Sequence, residues 1–427
     1  MNIEESAISA RKSSRIQLCQ AAGVRERALE SMRQALTENA GEIFKANRED
    51  LKRSETEGLA PPLLKRLAFG DSKLKRVGEG IAALTAMRDP LNRILEKREL
   101  DENLILSRIT CPIGVIGMIF ESRPDALVQM AALCVRSGNA VILKGGSEAR
   151  ASNRILVEVI HDAVTSAGLP KGCIHLAETR DDVKTMLNLN KHINLIIPRG
   201  SNEFVSEIMK NSSIPVLGHA DGICHIYLDA KADTAMALSI ILDSKMQYSA
   251  VCNAVETLLV HQDAAPRLLP PIKEAMEAAG CQIRACETAR SYIDAAPAGP
   301  EDWFMEYLDA ILAIRVVRDM DEAVEHIHRC GSGHTEAIIT EDADTAEAFL
   351  AQVDAADVFH NCSTRFSDGF VYGLGAELGI STAKIHARGP VGVEGLLSHR
   401  WQIRGTGQII ADYDEGRRSF THKTLEP

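Results

Sequence analysis

The feature that most constrains this chain is an alternation of short apolar runs with amphipathic segments between residues 113 and 361. Segments 113–120, 140–143, 175–177, 193–197, 224–228, 256–260, 310–317, 336–340 and 357–361 have the compact apolar character of buried strands. Between them, 125–136, 149–168, 181–189, 203–211, 234–246, 267–279, 321–328 and 343–353 repeat apolar residues three and four apart, as helices do. This order predicts an α/β fold of mostly parallel sheets covered on both faces. A length of 427 residues exceeds one compact core, so two or three domains are expected.

The flanks differ. Residues 5–100 read as helical, with apolar periodicity in 7–18, 28–43 and 74–87 and breaks at 58–62 and Asp89-Pro90. Residues 104–110 alternate like an exposed strand. The tail is Gly-rich from 369 to 395. Segments 401–403 and 408–411 then predict a hairpin around Gly405-Thr406-Gly407. A lone two-stranded ribbon is marginal in water. The hairpin therefore implies a homo-oligomer, at least a dimer, built by extending a sheet between subunits.

A net charge of −11 disfavours nucleic acid or an anionic membrane as the main partner. No run approaches the ~20 apolar residues of a membrane helix. The N-terminus lacks a signal-type apolar core, so a cytoplasmic protein is expected. The ten cysteines are scattered without a C-x-x-C pair, and buried thiols are the default reading for each. The histidines form no metal pattern: His326 and His328 point to different helix faces, and no metal is expected.

Three places stand out against this background. Cys252, followed by Asn253, falls in a loop between a helix and a buried strand, where chemistry often sits. A thiolate there could act as a nucleophile, helped by a neighbouring cation or helix N-terminus that lowers its pKa. Asn253 reads equally as a loop-shaping or a turn-capping residue. The second place is the strand-to-helix turn Lys144, Gly145, Gly146, Ser147. It joins a cation, bare backbone and a helix N-terminus, which suits a phosphate or ribose, though an ordinary βα connection reads as well. The third, Pro198, Arg199, Gly200, Ser201, repeats that logic, with Ser201 as an N-cap.

Five ordered blocks carry a wider likeness, among them PIGVIGMIFESRPDALVQMAALCVRSGNAVILKGG, NLIIPRGS, VCNAVETLLV and AVEHIHRCGSGHTEAIIT. Through them the chain resembles the γ-glutamyl phosphate reductase family of the aldehyde dehydrogenase superfamily. The resemblance implies two parallel-sheet α/β domains plus a β-hairpin oligomerisation element. Residues 1–230 would form a helical N-terminal region and a Rossmann-like NADP(H) domain that also receives part of 360–395. Residues 231–360 would form the catalytic domain, and 98–112 with 398–414 the oligomerisation strands. The implied reaction is NADPH-dependent reduction of L-glutamyl 5-phosphate to the 5-semialdehyde through a Cys252 thioester, the second step of proline synthesis. The alternative is a non-phosphorylating aldehyde dehydrogenase. A separate glutamate 5-kinase would supply the substrate.

Residue by residue, the Cys252 amide would stabilise the oxyanions, with a second donor near Ser122. Lys144 would meet the adenosine ribose, Pro198–Ser201 the pyrophosphate, and Glu306 the nicotinamide ribose. Glu306 also reads as a helix-end carboxylate. Ser147 replaces a glutamate that would repel a 2′-phosphate, which favours NADP(H). Arg123, Arg365, His386 and Arg388 are candidates for the substrate's phosphate and α-carboxylate, and each arginine reads equally as a surface ion pair. The stretch 217–222 lacks the water-activating glutamate of the hydrolytic relatives. Met246–Ser249, Cys330 and Cys362 depart from the family pattern.

Overall fold

In a computed structural model of the protein, residues 2–426 are described, except 122, 219 and 220. Ser122 therefore lies outside the described residues.

Two parallel sheets organise the molecule. The first has four strands in the order Ile174–Leu176, Ala140–Lys144, Val115–Phe120 and Leu195–Arg199. Val115–Phe120 is buried along its whole length, as its unbroken apolar run requires of a strand covered on both faces. Ile116 and Met118 face one apolar cluster, Val115 and Ile119 another, the alternation of a pleated strand. The larger cluster also takes in residues of Ala22–Glu38, Asp71–Ala86 and the tail, including Ala376, Leu378, Val391 and Leu396.

The second sheet has seven strands. Its order is Ala296–Pro297, Gln282–Ala285, Ile311–Val317, Val255–His261, Cys224–Leu228, Thr335–Ile339 and Asp357–His360, and every pair is parallel. Cys224–Leu228, assigned by sequence to the first unit, thus pairs in the second sheet.

The N-terminal hundred residues differ from the sequence reading in two ways. The helix expected over 28–43 is two helices, Ala22–Glu38 and Ala40–Thr56, broken at Asn39. Ile94–Asp101, expected to be helical, is a strand. It joins a four-stranded antiparallel sheet in the order Leu397–Arg404, Leu104–Pro112, Ile94–Asp101, Lys423–Leu425. The hairpin around Gly405-Thr406-Gly407 is absent. Leu397–Arg404 pairs with Leu104–Pro112, and Ile410–Asp414 is helical. Likewise, 98–112 is two strands joined by a turn, with Asn103 at φ 59°. No helix among the described residues is long and apolar enough to cross a membrane.

Candidate active site

Cys252 sits between helix Thr234–Met246 and strand Val255–His261. Asp233 caps that helix by accepting from Met236 N at 2.8 Å. A buried ion pair closes the loop: Lys245 Nζ lies 2.5 Å from Glu256 Oε2, and neither side chain is exposed. Burial pushes the Glu256 carboxyl up to about 7, opposed by Lys245. Leu308 N approaches Glu256 Oε1 at 3.4 Å, so the same pair steadies the segment carrying Glu306.

Other contacts pin the loop to the tail and the neighbouring strand. Asn253 Nδ2 donates to Ser367 O at 2.8 Å, and Thr364 N donates to Ser244 Oγ at 3.2 Å. The Cys224 thiol donates to Cys252 O at 3.2 Å. A Cβ on Gly222 would stand 2.2 Å from Cys252 O and 2.5 Å from its Cα. Only glycine lets the chain approach the Cys252 loop so closely.

Cys252 is partly exposed. Burial nevertheless pushes its thiol up to about 12, the nearby Glu306 and Glu377 carboxylates add to the rise, and Arg199 opposes it. The direction is therefore the reverse of the lowering expected from sequence. Glu306 Oε2 accepts from Asn202 Nδ2 at 2.5 Å. Burial raises the Glu306 carboxyl, while Asn202 and the Gly222 amide lower it. Glu377 Oε2 accepts from Gly369 N at 2.5 Å; burial raises this carboxyl and Arg199 pulls it down.

Arg199 ends strand Leu195–Arg199, and its Nη1 donates to Glu377 O at 3.3 Å. Burial first, then the adjacent Arg123 charge, lowers its pKa; Glu377 and Cys252 act the other way. Arg123 precedes helix Pro124–Ser137, 3.8 Å from the Asp125 carboxylate. Thus Arg199, Glu306 and Glu377 converge on Cys252, and Arg123 stands beside Arg199. Each of the remaining anion-binding candidates has a partner within the chain. Arg388 pairs with Asp354 at 2.9 Å, His386 Nε2 meets Gly395 O at 2.7 Å, and Arg365 Nε donates to Gln247 Oε1 at 3.0 Å.

The two strand-to-helix turns form as expected, but the chain's own carboxylates occupy part of each. Asp50, fully buried, accepts from Ala151 N at 3.2 Å and Ser152 N at 2.7 Å at the start of helix Arg150–Ser166. That end is therefore not free for a pyrophosphate. Ser201 caps Asn202–Asn211, while its own amide donates to Glu121 Oε2 at 3.1 Å. Lys144 remains at the end of its strand, its Nζ donating to Gly145 O at 2.6 Å, its pKa lowered by burial. Arg53 Nη2 donates to Ser147 O at 3.2 Å, but its charge is already paired with Asp50 at 2.6 Å. The half-buried lysine and Glu306 fit a dinucleotide whose riboses need such partners.

Sequence reasoning missed Glu377, Asp50 and Glu121. Glu377 lies in a Gly-rich loop without periodicity, and the two others act only through contacts distant in sequence.

An aldehyde dehydrogenase family profile matches residues 18–285. A γ-glutamyl phosphate reductase of Acetivibrio thermocellus is 54% identical over 427 residues, covering 100% of this chain and 99% of that protein. One from Pelotomaculum thermopropionicum is 53% identical over 425 residues, covering 100% and 98%. Among solved structures, γ-glutamyl phosphate reductase of Thermotoga maritima superposes with a TM-score of 0.94 at 36% identity, covering 96% of this chain and 100% of that one.

Proposed function

For a chain that belongs to the aldehyde dehydrogenase family and, within it, to the γ-glutamyl phosphate reductases, we propose reduction of L-glutamyl 5-phosphate to L-glutamate 5-semialdehyde with release of phosphate. The observation that carries this reading is Cys252: a partly exposed thiol in a loop fixed at both ends, with charged neighbours from the end of strand Leu195–Arg199, the segment before Ile311–Val317 and the tail. In proline synthesis this reaction is the second step.

The thiol sulfur attacks the acyl carbon, the C–O bond to phosphate breaks, and a γ-glutamyl thioester forms on Cys252. The thiol proton leaves with the phosphate, which departs as HPO4²⁻. No separate base is required, which suits a thiol held neutral by burial. The Cys252 amide faces the oxyanion in this step. Lys144 and Glu306 would hold the two riboses of NADP(H), and Ser147, standing where a glutamate would repel it, leaves room for a 2′-phosphate. When bound, NADPH supplies the hydride that takes the thioester to the aldehyde. Asn253, Lys245 and Glu256 keep the sulfur in place meanwhile.

Glu306 and Glu377 beside the thiol favour a second reading, hydrolysis of the thioester by an activated water. Both carboxylates are engaged, by Asn202 and by Gly369 N. Semialdehyde oxidation with NADP+, run with and without inorganic phosphate, decides between the two. The phosphorylating reading expects turnover only with phosphate, lost in Cys252→Ser. Phosphate-independent turnover contradicts it.

A further inference from the structure

We propose that Arg199, with Arg123 beside it, is the phosphate cradle of the active site. The family resemblance assigns Arg199 to the cofactor pyrophosphate and leaves the substrate's phosphate and α-carboxylate among Arg123, Arg365, His386 and Arg388. The inference rests on the phosphorylating reading above and names the subsite it needs.

The placement is topological first. Val115–Phe120 and Leu195–Arg199 are neighbours at the point where the strand order of the four-stranded sheet reverses. Open α/β sheets take ligands at that switch point, beyond the carboxyl ends of the strands. Phe120 and Arg199 are register partners, and Glu121 N donates to Arg199 O at 3.1 Å. Arg123 follows three residues after Phe120. The two guanidinium groups thus arise side by side from adjacent strand ends.

Contacts then tie this pair to the nucleophile. Asn253, next to Cys252, holds Ser367 O at 2.8 Å. Two residues on, Gly369 N holds the Glu377 carboxylate at 2.5 Å, and Glu377 O receives Arg199 Nη1 at 3.3 Å. One short stretch of the tail therefore fixes both the cysteine loop and the arginine. The mutual influence of the Arg199 charge and the Cys252 thiol agrees with this closeness.

The donors are available. A guanidinium has five N–H groups. Arg199 makes one long bond to a carbonyl, and among the described residues no carboxylate stands within ion-pair distance of it. Among the described residues, the ion-pair partner of Arg123 is Asp125, at 3.8 Å. Two adjacent cations so sparsely compensated repel each other unless an anion bridges them, and a phosphate dianion is the best-matched bridge. Arg388 and His386 lack this freedom. In the oxidative direction the cradled phosphate oxygen attacks the thioester carbon, the C–S bond breaks, and the phosphate proton passes to the departing sulfur. HPO4²⁻ and thioester become acyl phosphate and thiol, with atoms and charge balanced.

The test is semialdehyde oxidation by the full enzyme, with KM measured separately for inorganic phosphate, NADP+ and semialdehyde. Arg199→Gln should raise the phosphate KM about ten- to a hundredfold, as expected for a lost charged hydrogen bond. The other two constants should stay within about twofold. Arg199→Lys should show a smaller rise in the same constant, and it serves as the readout if the glutamine variant does not fold. A rise confined to the NADP+ KM returns Arg199 to the cofactor and overturns the proposal, as does an unchanged phosphate KM. A parent enzyme that needs no phosphate refutes the phosphorylating reading itself, a result distinct from both.

Discussion

At the scale of single residues, the surroundings of Cys252 favour the neutral thiol over a preformed thiolate. Burial and two carboxylates outweigh the one opposing arginine, and the thiol titrates near 12. Alkylation of the free enzyme by iodoacetamide should therefore accelerate about tenfold per pH unit from 7 to 10, because the thiolate is the reacting form. A plateau near pH 8 contradicts this account. The sign also bears on stability. A folded pKa raised above the ordinary value of 9.0 contributes stability that is complete below about 9 and is lost as pH climbs toward 12. Cys252 itself was legible in sequence, since a cysteine between a helix and a buried strand is a local pattern. Its electrostatic setting was not: Glu377 reaches it from a loop more than a hundred residues later, with no local signal.

At the scale of elements, the ion pair Lys245–Glu256 brackets the nucleophile loop from the last turn of a helix to the start of a strand. Removing one partner strands a buried charge. Lys245→Met alone should cost about 3–5 kcal/mol, whereas the double change Lys245→Met with Glu256→Leu should recover most of that. Urea unfolding of the two variants measures it, and equal losses would argue against a bracketing role. Helix periodicity was readable where one face meets a core, as in Met320–Cys330, and strands buried on both faces, such as Val115–Phe120, showed as unbroken apolar runs. Such patterns failed where composition hid the state. Ile94–Asp101 is rich in charge yet forms a strand, because its partners lie on either side in the antiparallel sheet. The break at Asn39 was invisible because apolar spacing continues across it. The Lys144 turn was found, but Asp50, which takes up its helix end, comes from a separate helix.

At the scale of the whole molecule, two parallel sheets meet a third, antiparallel one built from distant segments. Leu397–Arg404 is an edge strand of that sheet, with Trp401 and Ile403 half exposed or more. An apolar open edge is a site for strand addition, so we propose an oligomer joined there. Ile403→Glu should lower the mass found by light scattering, and an unchanged mass excludes this edge. The α/β class followed from alternation alone, while the pairing of this edge strand did not. Its true partner, Leu104–Pro112, lies almost three hundred residues away, and local reading matched it to the next few residues instead. The claim that binds all three scales is that Cys252 carries the acyl group. The most direct measurement is peptide mass spectrometry after mixing the enzyme with glutamate semialdehyde and NADP+ in the absence of phosphate. The account predicts a γ-glutamyl adduct on the Cys252 peptide that phosphate removes and that Cys252→Ala lacks; an adduct on another residue, or turnover with Cys252 never modified, would contradict it.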